Sequence, residues 1–377
     1  MWDLFCKVVD NYGDAGVCWR LSRQLAAEHD LSLRLWIDDI PALARMWPGI
    51  DPRMDRQNVA GVTIRRWDSD ESVAGAIPSE AVIEAFGCDI PQDFIDEMTR
   101  RPLQPAWFNL EYLTAEDWVE SHHLLPSPHP RLKLVKYFYF PGFTAKTGGL
   151  LREANLFARR DAFRRDAQAR AAWWKRLGMT PAADGELRVS MFAYANPAAP
   201  RLFDAWAGAD RPITCVVPEG VLRDEVATFA GADLGTGDAV QQGNLRLVRV
   251  PFVTQDEYDT MLWASDFNFV RGEDSFVRAQ WAARPMAWHI YPQEDDAHRP
   301  KLAAFVDRYT SILDPAASRA VRALFEAWNG AGDMAVAWSE VQPHMEDWTA
   351  AAGGWAADLA SRPDLASGLV YAAANRL

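Results

Sequence analysis

Two short stretches of the chain bring together residue types that can do chemistry. The first is Val8-Val9-Asp10-Asn11-Tyr12-Gly13-Asp14-Ala15-Gly16, where two carboxylates share a glycine-bearing loop. Gly13 and Gly16 would let the backbone approach a ligand closely. Asp10 and Asp14 could accept protons or hydrogen-bond a polar substrate. Aspartate is also an ordinary turn and helix N-cap residue, so a structural reading stands beside the chemical one. The second stretch is Phe267-Asn268-Phe269-Val270-Arg271-Gly272-Glu273-Asp274-Ser275-Phe276-Val277-Arg278. An apolar run enters Arg271-Gly272, and a helix is expected to open at Asp274 or Ser275. Free N–H groups and the positive dipole end at that point would hold a diphosphate, with the Ser275 hydroxyl assisting. Glu273 and Asp274 would repel phosphate. They suit sugar or base hydroxyls instead, with Arg271 balancing the charge. Capping explains Asp274 and Ser275 equally well, but Arg271-Gly272-Glu273 less well.

Neither stretch is a GxGxxG or GK[ST] motif, so no dinucleotide or Walker fingerprint holds. Asp68-Ser69-Asp70 has the DxD form, a tripeptide common by chance in solvated loops. His122, His123 and His129 lie close in sequence but lack HExxH spacing or a nearby Cys ligand. No metal site is expected there. No GxSxG is present. Tyr194 and Phe252 are expected at strand ends, where an aromatic ring can stack on a nucleobase, although core packing is the commoner use. Cys6, Cys18, Cys88 and Cys215 form no CxxC pair and read as free core thiols of a reducing cytoplasm.

These loops need elements to position them. Leu4–Val9 and Leu31–Ile37 read as buried strands around a helix over Val17–Glu28. Further strands are expected at 62–67, 81–86 and 106–110, with helices at 41–46, 90–98 and 115–121. Pro126-Ser127-Pro128-His129-Pro130 breaks regular structure, and an aromatic run, Tyr137–Phe143, follows. A basic helix-like stretch over Arg159–Arg176 then leads to a second series. Its strands are expected at 187–193, 213–217, 245–252, 267–270 and 286–291. Helices are expected at 200–206, 255–264 and 275–283. Strands alternating with helices imply βαβ units and mostly parallel sheets, with ligands at the carboxyl ends of the strands. The C-terminal third, rich in Ala and Trp, reads as helical.

With 377 residues, 49% of them hydrophobic, the chain can bury more than one core. The 39 basic and 52 acidic residues leave a net charge of −13, which argues against a general nucleic-acid binder and for a basic partner. No apolar run reaches the roughly 20 residues of a membrane span. Met1-Trp2-Asp3-Leu4 lacks the basic and apolar regions of a signal peptide, so a soluble cytoplasmic protein is expected. Trp is common, at 17 residues; Trp19, Trp36 and Trp174 sit among apolar neighbours and are expected in the core.

Trp2-Asp3-Leu4-Phe5-Cys6-Lys7-Val8-Val9-Asp10-Asn11-Tyr12-Gly13-Asp14 resembles the bacterial protein-arginine rhamnosyltransferase (EarP) family. So does Arg271-Gly272-Glu273-Asp274-Ser275-Phe276-Val277-Arg278-Ala279-Gln280-Trp281. Trp36-Ile37-Asp38-Asp39, Phe108-Asn109-Leu110-Glu111-Tyr112-Leu113 and Phe138–Phe143 are in the same style. The resemblance implies an α/β GT-B glycosyltransferase fold of two Rossmann-like domains facing a cleft. On that view residues 1–150 form the acceptor-side domain and 151–186 a connection. Residues 187–340 form the nucleotide-sugar domain, and 341–377 are helices, for which a return to the N-terminal domain is one arrangement.

The implied reaction moves L-rhamnose from dTDP-β-L-rhamnose, with inversion, to an arginine of translation elongation factor P, helping ribosomes stalled at polyproline. Residue by residue, Asp14 matches the family's proposed general base and Glu273 a second catalytic carboxylate. Asn11, Tyr12, Gly13, Tyr194, Phe252, Gln255, Arg271, Gly272, Asp274 and Ser275 match donor-binding positions. Asp10 matches an acid used for structure or acceptor positioning. No metal or cofactor is expected beyond the donor substrate, and neither nucleic acid nor membrane is an expected partner. Another GT-B nucleotide-sugar transferase, or an epimerase with a non-protein acceptor, is the alternative.

Overall fold

The computed structural model describes residues 1–10 and 12–375, apart from the Glu294 side chain. The expectation for Asn11 therefore lies outside the described residues. The chain divides into two compact units: Met1–Ala154 with the segment from Leu359 onward, and Asn155–Asp358.

In the first unit the strands are β1 (Trp2–Cys6), β2 (Leu33–Ile37), β3 (Arg56–Val59), β4 (Val62–Arg66), β5 (Ala81–Ala85), β6 (Ala106–Leu110), β7 (Pro126–Pro128) and β8 (Val135–Tyr139). They form one sheet in the order β3-β4-β2-β1-β5-β6-β8-β7. The inner strands are parallel, and β3 and β7 pair antiparallel at the edges. β1 and β5 are buried along their whole length, as strands covered on both faces must be. Asp3, inside β1, is accommodated because Arg34, Trp36 and the Ser79 N–H all donate to its carboxylate. From β1 the chain moves outward to β2 and β4, then returns to add β5 on the other side. The β1 and β5 carboxyl ends thus flank a topological switch point.

The second unit contains β9 (Leu187–Met191), β10 (Ile213–Pro218), β11 (Ala239–Gln242), β12 (Leu245–Val250), β13 (Phe267–Arg271) and β14 (Met286–His289). Their order is β11-β12-β10-β9-β13-β14, parallel except for β11. The switch point here falls between β9 and β13. Tryptophan fills one side of this sheet: Trp206, Trp328, Trp338 and Trp348 pack around Phe267 and Phe269. Trp19, Trp36 and Trp174 are buried as expected, and all four cysteines are buried thiols outside any disulfide among the described residues.

Several boundaries differ from those read in the sequence. The first strand ends at Cys6, and the helix begins at Tyr12 rather than Val17, so the glycine-bearing turn is mostly the first helical turns. A segment expected to be irregular forms β7, because a proline-rich strand is tolerated at an edge where its missing N–H faces no partner. The basic stretch is two helices, Leu156–Arg165 and Ala167–Arg176. They are separated by Asp166, whose side chain caps the second. The segment 155–186 groups with the second unit.

The chain end groups with the first unit. Leu365 N–H donates to Leu150 O and Arg152 reaches Ala360 O. Gly148 and Gly368 both lie against Tyr139, where a Cβ would collide with its ring or hydroxyl. No described helix is long and apolar enough to cross a membrane.

Candidate active site

The loop after β1 is organised by carboxylates accepting backbone N–H groups. Asp14 lies in the first turn of the Tyr12–Glu28 helix, and its Oδ2 accepts from Val9 N at 2.8 Å and Asp10 N at 2.9 Å. The side chain thus folds back and ties the loop to the helix. Asp38, after β2, accepts from Val8 N at 3.0 Å. Gly13 N donates to Asp10 O at 2.6 Å, and a Cβ on Gly13 would lie 2.5 Å from Asp10 Oδ2, which is why the position suits glycine. Asp14 is 2% exposed. Burial pushes its carboxyl above the usual 3.8, against the lowering effect of the Asp10 and Val9 N–H groups, and the Asp10 charge adds to the rise. The Tyr112 hydroxyl is a further hydrogen-bond partner. Tyr112 follows β6 and stacks on Phe86, after β5, with centroids 4.3 Å apart. The switch point of the first unit therefore presents Asp10 and Asp14 beside an aromatic pair. Asp38, Tyr112 and Phe86 had no assigned role in the sequence; Asp38 and Tyr112 lay inside family-like stretches.

In the second unit, Arg271 ends β13 and Gly272 turns the chain with φ +57°, in the left-handed region that favours glycine. Glu273 is the N-cap of the Asp274–Ala282 helix, with no side-chain capping bond. Neither Asp274 nor Ser275 caps the helix. Asp274 is buried and accepts from Gln255 Nε2 at 2.9 Å and Arg278 Nε at 2.8 Å, while Arg278 also pairs with Asp259. Ser275 Oγ accepts from Arg271 N at 3.0 Å and donates to Arg271 O, closing the loop on itself. The Arg271 guanidinium lies 4.5 Å from the Phe192 ring centroid and 4.4 Å from that of Tyr194. Its Nε is buried without a hydrogen-bond partner among the described residues. Tyr194 also meets His289 and Tyr291 edge-on. Burial, with the charges of Arg271 and His298, pulls His289 down to about 4, so it is neutral at pH 7. Tyr194 and Phe252 lie in the loops after β9 and β12, not at the ends of those strands. Gln255 opens the Gln255–Ala264 helix, which Thr254 and Glu257 cap reciprocally. Phe192 and His289 carried no motif signal and emerge only from contacts; Arg278 lay inside the second family-like stretch without an assigned role.

This arrangement can do two things. A half-buried guanidinium held between two rings beside a helix N-terminus attracts an anion such as a diphosphate. A buried carboxylate with an elevated pKa, already oriented by two N–H donors, is a stronger base than a solvated one. The other candidates are structural. His122 Nδ1 lies 2.8 Å from Trp118 O, His123 Nδ1 accepts from Phe140 N, and His129 Nδ1 accepts from Leu132 N. Asp68 and Asp70 are exposed. Among the described residues no group of three or more His, Cys, Asp or Glu side chains converges as a metal set.

Two parallel-rich α/β units with their candidate residues at the switch points place the chain among GT-B glycosyltransferases. TcCGT1 in complex with UDP shares the fold alone, at 8% identity and a TM-score of 0.52 over 99% of this chain and 98% of that one. Residues 2–373 match the model of the EarP family, described as elongation-factor P (EF-P) rhamnosyltransferase, and the chain belongs to that family. It is 48% identical to a protein-arginine rhamnosyltransferase of Pseudomonas putida, covering 100% of this chain and 99% of the relative. The corresponding protein of Pseudomonas aeruginosa is 45% identical, over 98% of this chain and 97% of the relative. A solved structure concerned with EarP-mediated arginine glycosylation of translation elongation factor EF-P matches 100% of this chain and 99% of that one. Its TM-score is 0.71 at 36% identity. The chain is thus a glycosyltransferase of the protein-arginine rhamnosyltransferase class.

Proposed function

We propose that this enzyme transfers L-rhamnose from dTDP-β-L-rhamnose to an arginine side chain of elongation factor P, supporting translation through polyproline. The observation that carries the acceptor is the full-length similarity to the EarP structure concerned with arginine glycosylation of EF-P. The site geometry supports the chemistry. Arg271 and the N–H groups at the start of the Asp274–Ala282 helix hold the diphosphate, Phe252 and Tyr194 flank the nucleotide, and Gln255, Gly272, Asp274 and Ser275 build that loop. Tyr12 and Gly13 are the donor-binding residues of the first unit.

In the reaction an arginine nitrogen bonds to the anomeric carbon as the carbon–oxygen bond to the diphosphate breaks, and its electron pair leaves with dTDP. The proton lost by that nitrogen passes to Asp14. A free guanidinium is too weak an acid to be deprotonated beforehand, so transfer accompanies bond formation, when its acidity rises. Glu273 positions the sugar or stabilises developing positive charge, and Asp10 positions the acceptor. This reading assigns charge neutralisation to Arg271 and helix N–H groups rather than to a metal.

Intact-mass analysis of elongation factor P, incubated with the enzyme and dTDP-β-L-rhamnose, tests the whole reading. A gain of one deoxyhexose, abolished when the target arginine becomes lysine, is expected. Release of dTDP without that gain would point to another acceptor or to hydrolysis.

A further inference from the structure

A second polar concavity lies in the first unit, by the amino ends of β1 and β5 rather than at the carboxyl ends that carry Asp10 and Asp14. It is a groove of about 570 Å³ bordered by Arg34, Arg65, Arg101 and the loop leading into β5. We propose that this groove binds a phosphoryl group through Arg65, Arg101 and Ser79.

The three arginines are not equivalent. Arg34 is already neutralised, with two hydrogen bonds to Asp3, and also donates to Ile77 O at 2.8 Å. Arg65 has no carboxylate partner among the described residues. It lies 4.9 Å from the Trp36 ring centroid and opposite Arg56 across the β3–β4 pair. Burial and the like charges of Arg56 and Arg34 pull its guanidinium below the ordinary value, the sign of a cation lacking a counter-charge. Arg101 carries a buried Nε with no hydrogen-bond partner among the described residues. Ser79 is 4% exposed, and its Oγ is likewise unpartnered. The Glu80 carboxylate also borders the groove, but it is solvated and faces the Met1 amine at 3.5 Å.

Two uncompensated guanidinium groups and an idle hydroxyl in a chain of net charge −13 are otherwise a cost. A tetrahedral oxyanion is the kind of acceptor these groups lack, because the guanidinium fork matches phosphate oxygens and the hydroxyl adds a donor. The groove exceeds the size of the anion alone. Ala74, Ala76, Pro78 and the 66%-exposed Ile77 form an apolar ledge beside the arginines. That ledge favours a phosphate monoester with an apolar body over the free ion.

Calorimetric titration of the full chain with inorganic phosphate and with phenyl phosphate tests this. It is run on wild type, on an Arg65→Gln/Arg101→Gln double variant, and on Arg271→Gln, which lies in the separate anion site. A saturable component weakened more than tenfold in the double variant but retained in Arg271→Gln is expected. An Arg65→Lys/Arg101→Lys variant should recover part of it by charge alone. Rhamnosyl transfer at the wild-type rate shows that the double variant is folded. Tighter binding of phenyl phosphate would assign the groove to an ester, and equal binding to the free ion. No saturable binding, or binding untouched by the double variant, overturns the proposal.

Discussion

Asp14 is the general base of the proposed reaction, and its environment makes a two-sided prediction. Its folded pKa lies above the usual 3.8, with burial the first cause. Ionisation of this group therefore costs folding free energy. The cost is absent below the unfolded pKa and is complete once pH exceeds the folded value. Asn at this position could still accept the Val9 and Asp10 N–H groups. Asp14→Asn is accordingly expected to melt at or above the wild-type temperature at pH 7 while transfer falls about 10²–10⁴-fold. The acid limb of the wild-type rate profile should lie above 3.8 and be missing from the residual activity of the variant. Full turnover in Asp14→Asn would remove the base assignment. Arg271 makes a second prediction. Lysine keeps the charge but loses the planar guanidinium between Phe192 and Tyr194, so Arg271→Lys should raise donor KM about tenfold with a smaller change in kcat. An unchanged donor KM would take Arg271 out of the binding site.

At the scale of elements, the loops are held by their own helices. The Tyr12–Glu28 helix carries Asp14 in its first turn, and that carboxylate anchors the backbone before it. Gly13→Ala separates helix stability from site geometry. Alanine gains about 1 kcal/mol of helix propensity. Its Cβ, however, would fall 2.5 Å from Asp10 Oδ2, and the Asp10 side chain must move. The expected outcome is a melting temperature within a few degrees of wild type and transfer reduced at least tenfold, measured on the same preparation. Wild-type turnover would mean that the placement of Asp10 is not critical. The strand–helix alternation around both loops was legible in the sequence because buried parallel strands read as continuous apolar runs. β3, β7 and β11 were not, because edge strands bury little and carry weak patterns.

At the scale of the whole molecule, the net charge of −13 predicts electrostatic attraction to a basic acceptor surface. KM for elongation factor P should rise as sodium chloride increases from 50 to 300 mM, with kcat less affected, because screening acts on association. A salt-independent KM would leave the interface to apolar contacts. The C-terminal segment returns to the first unit by specific packing. Tyr139 lies against Gly148 and Gly368, and Gln24 reaches both Arg152 O and Asp364.

The sequence by itself determined the class of fold, the two loops and most of the residue types in them, because apolar runs, glycines and clustered charges are local signals. It also carried the family in two long motifs. What only the tertiary structure decided was how each side chain is used. Asp274 and Ser275 read equally well as caps or as ligand groups, and proved instead to brace Gln255, Arg278 and the Arg271 backbone. Tyr112, Phe192 and His289 join their sites from strands far apart in the chain, where no spacing rule reaches. The same holds for Arg65, Arg101 and Ser79, whose lack of partners among the described residues shows only in the folded structure.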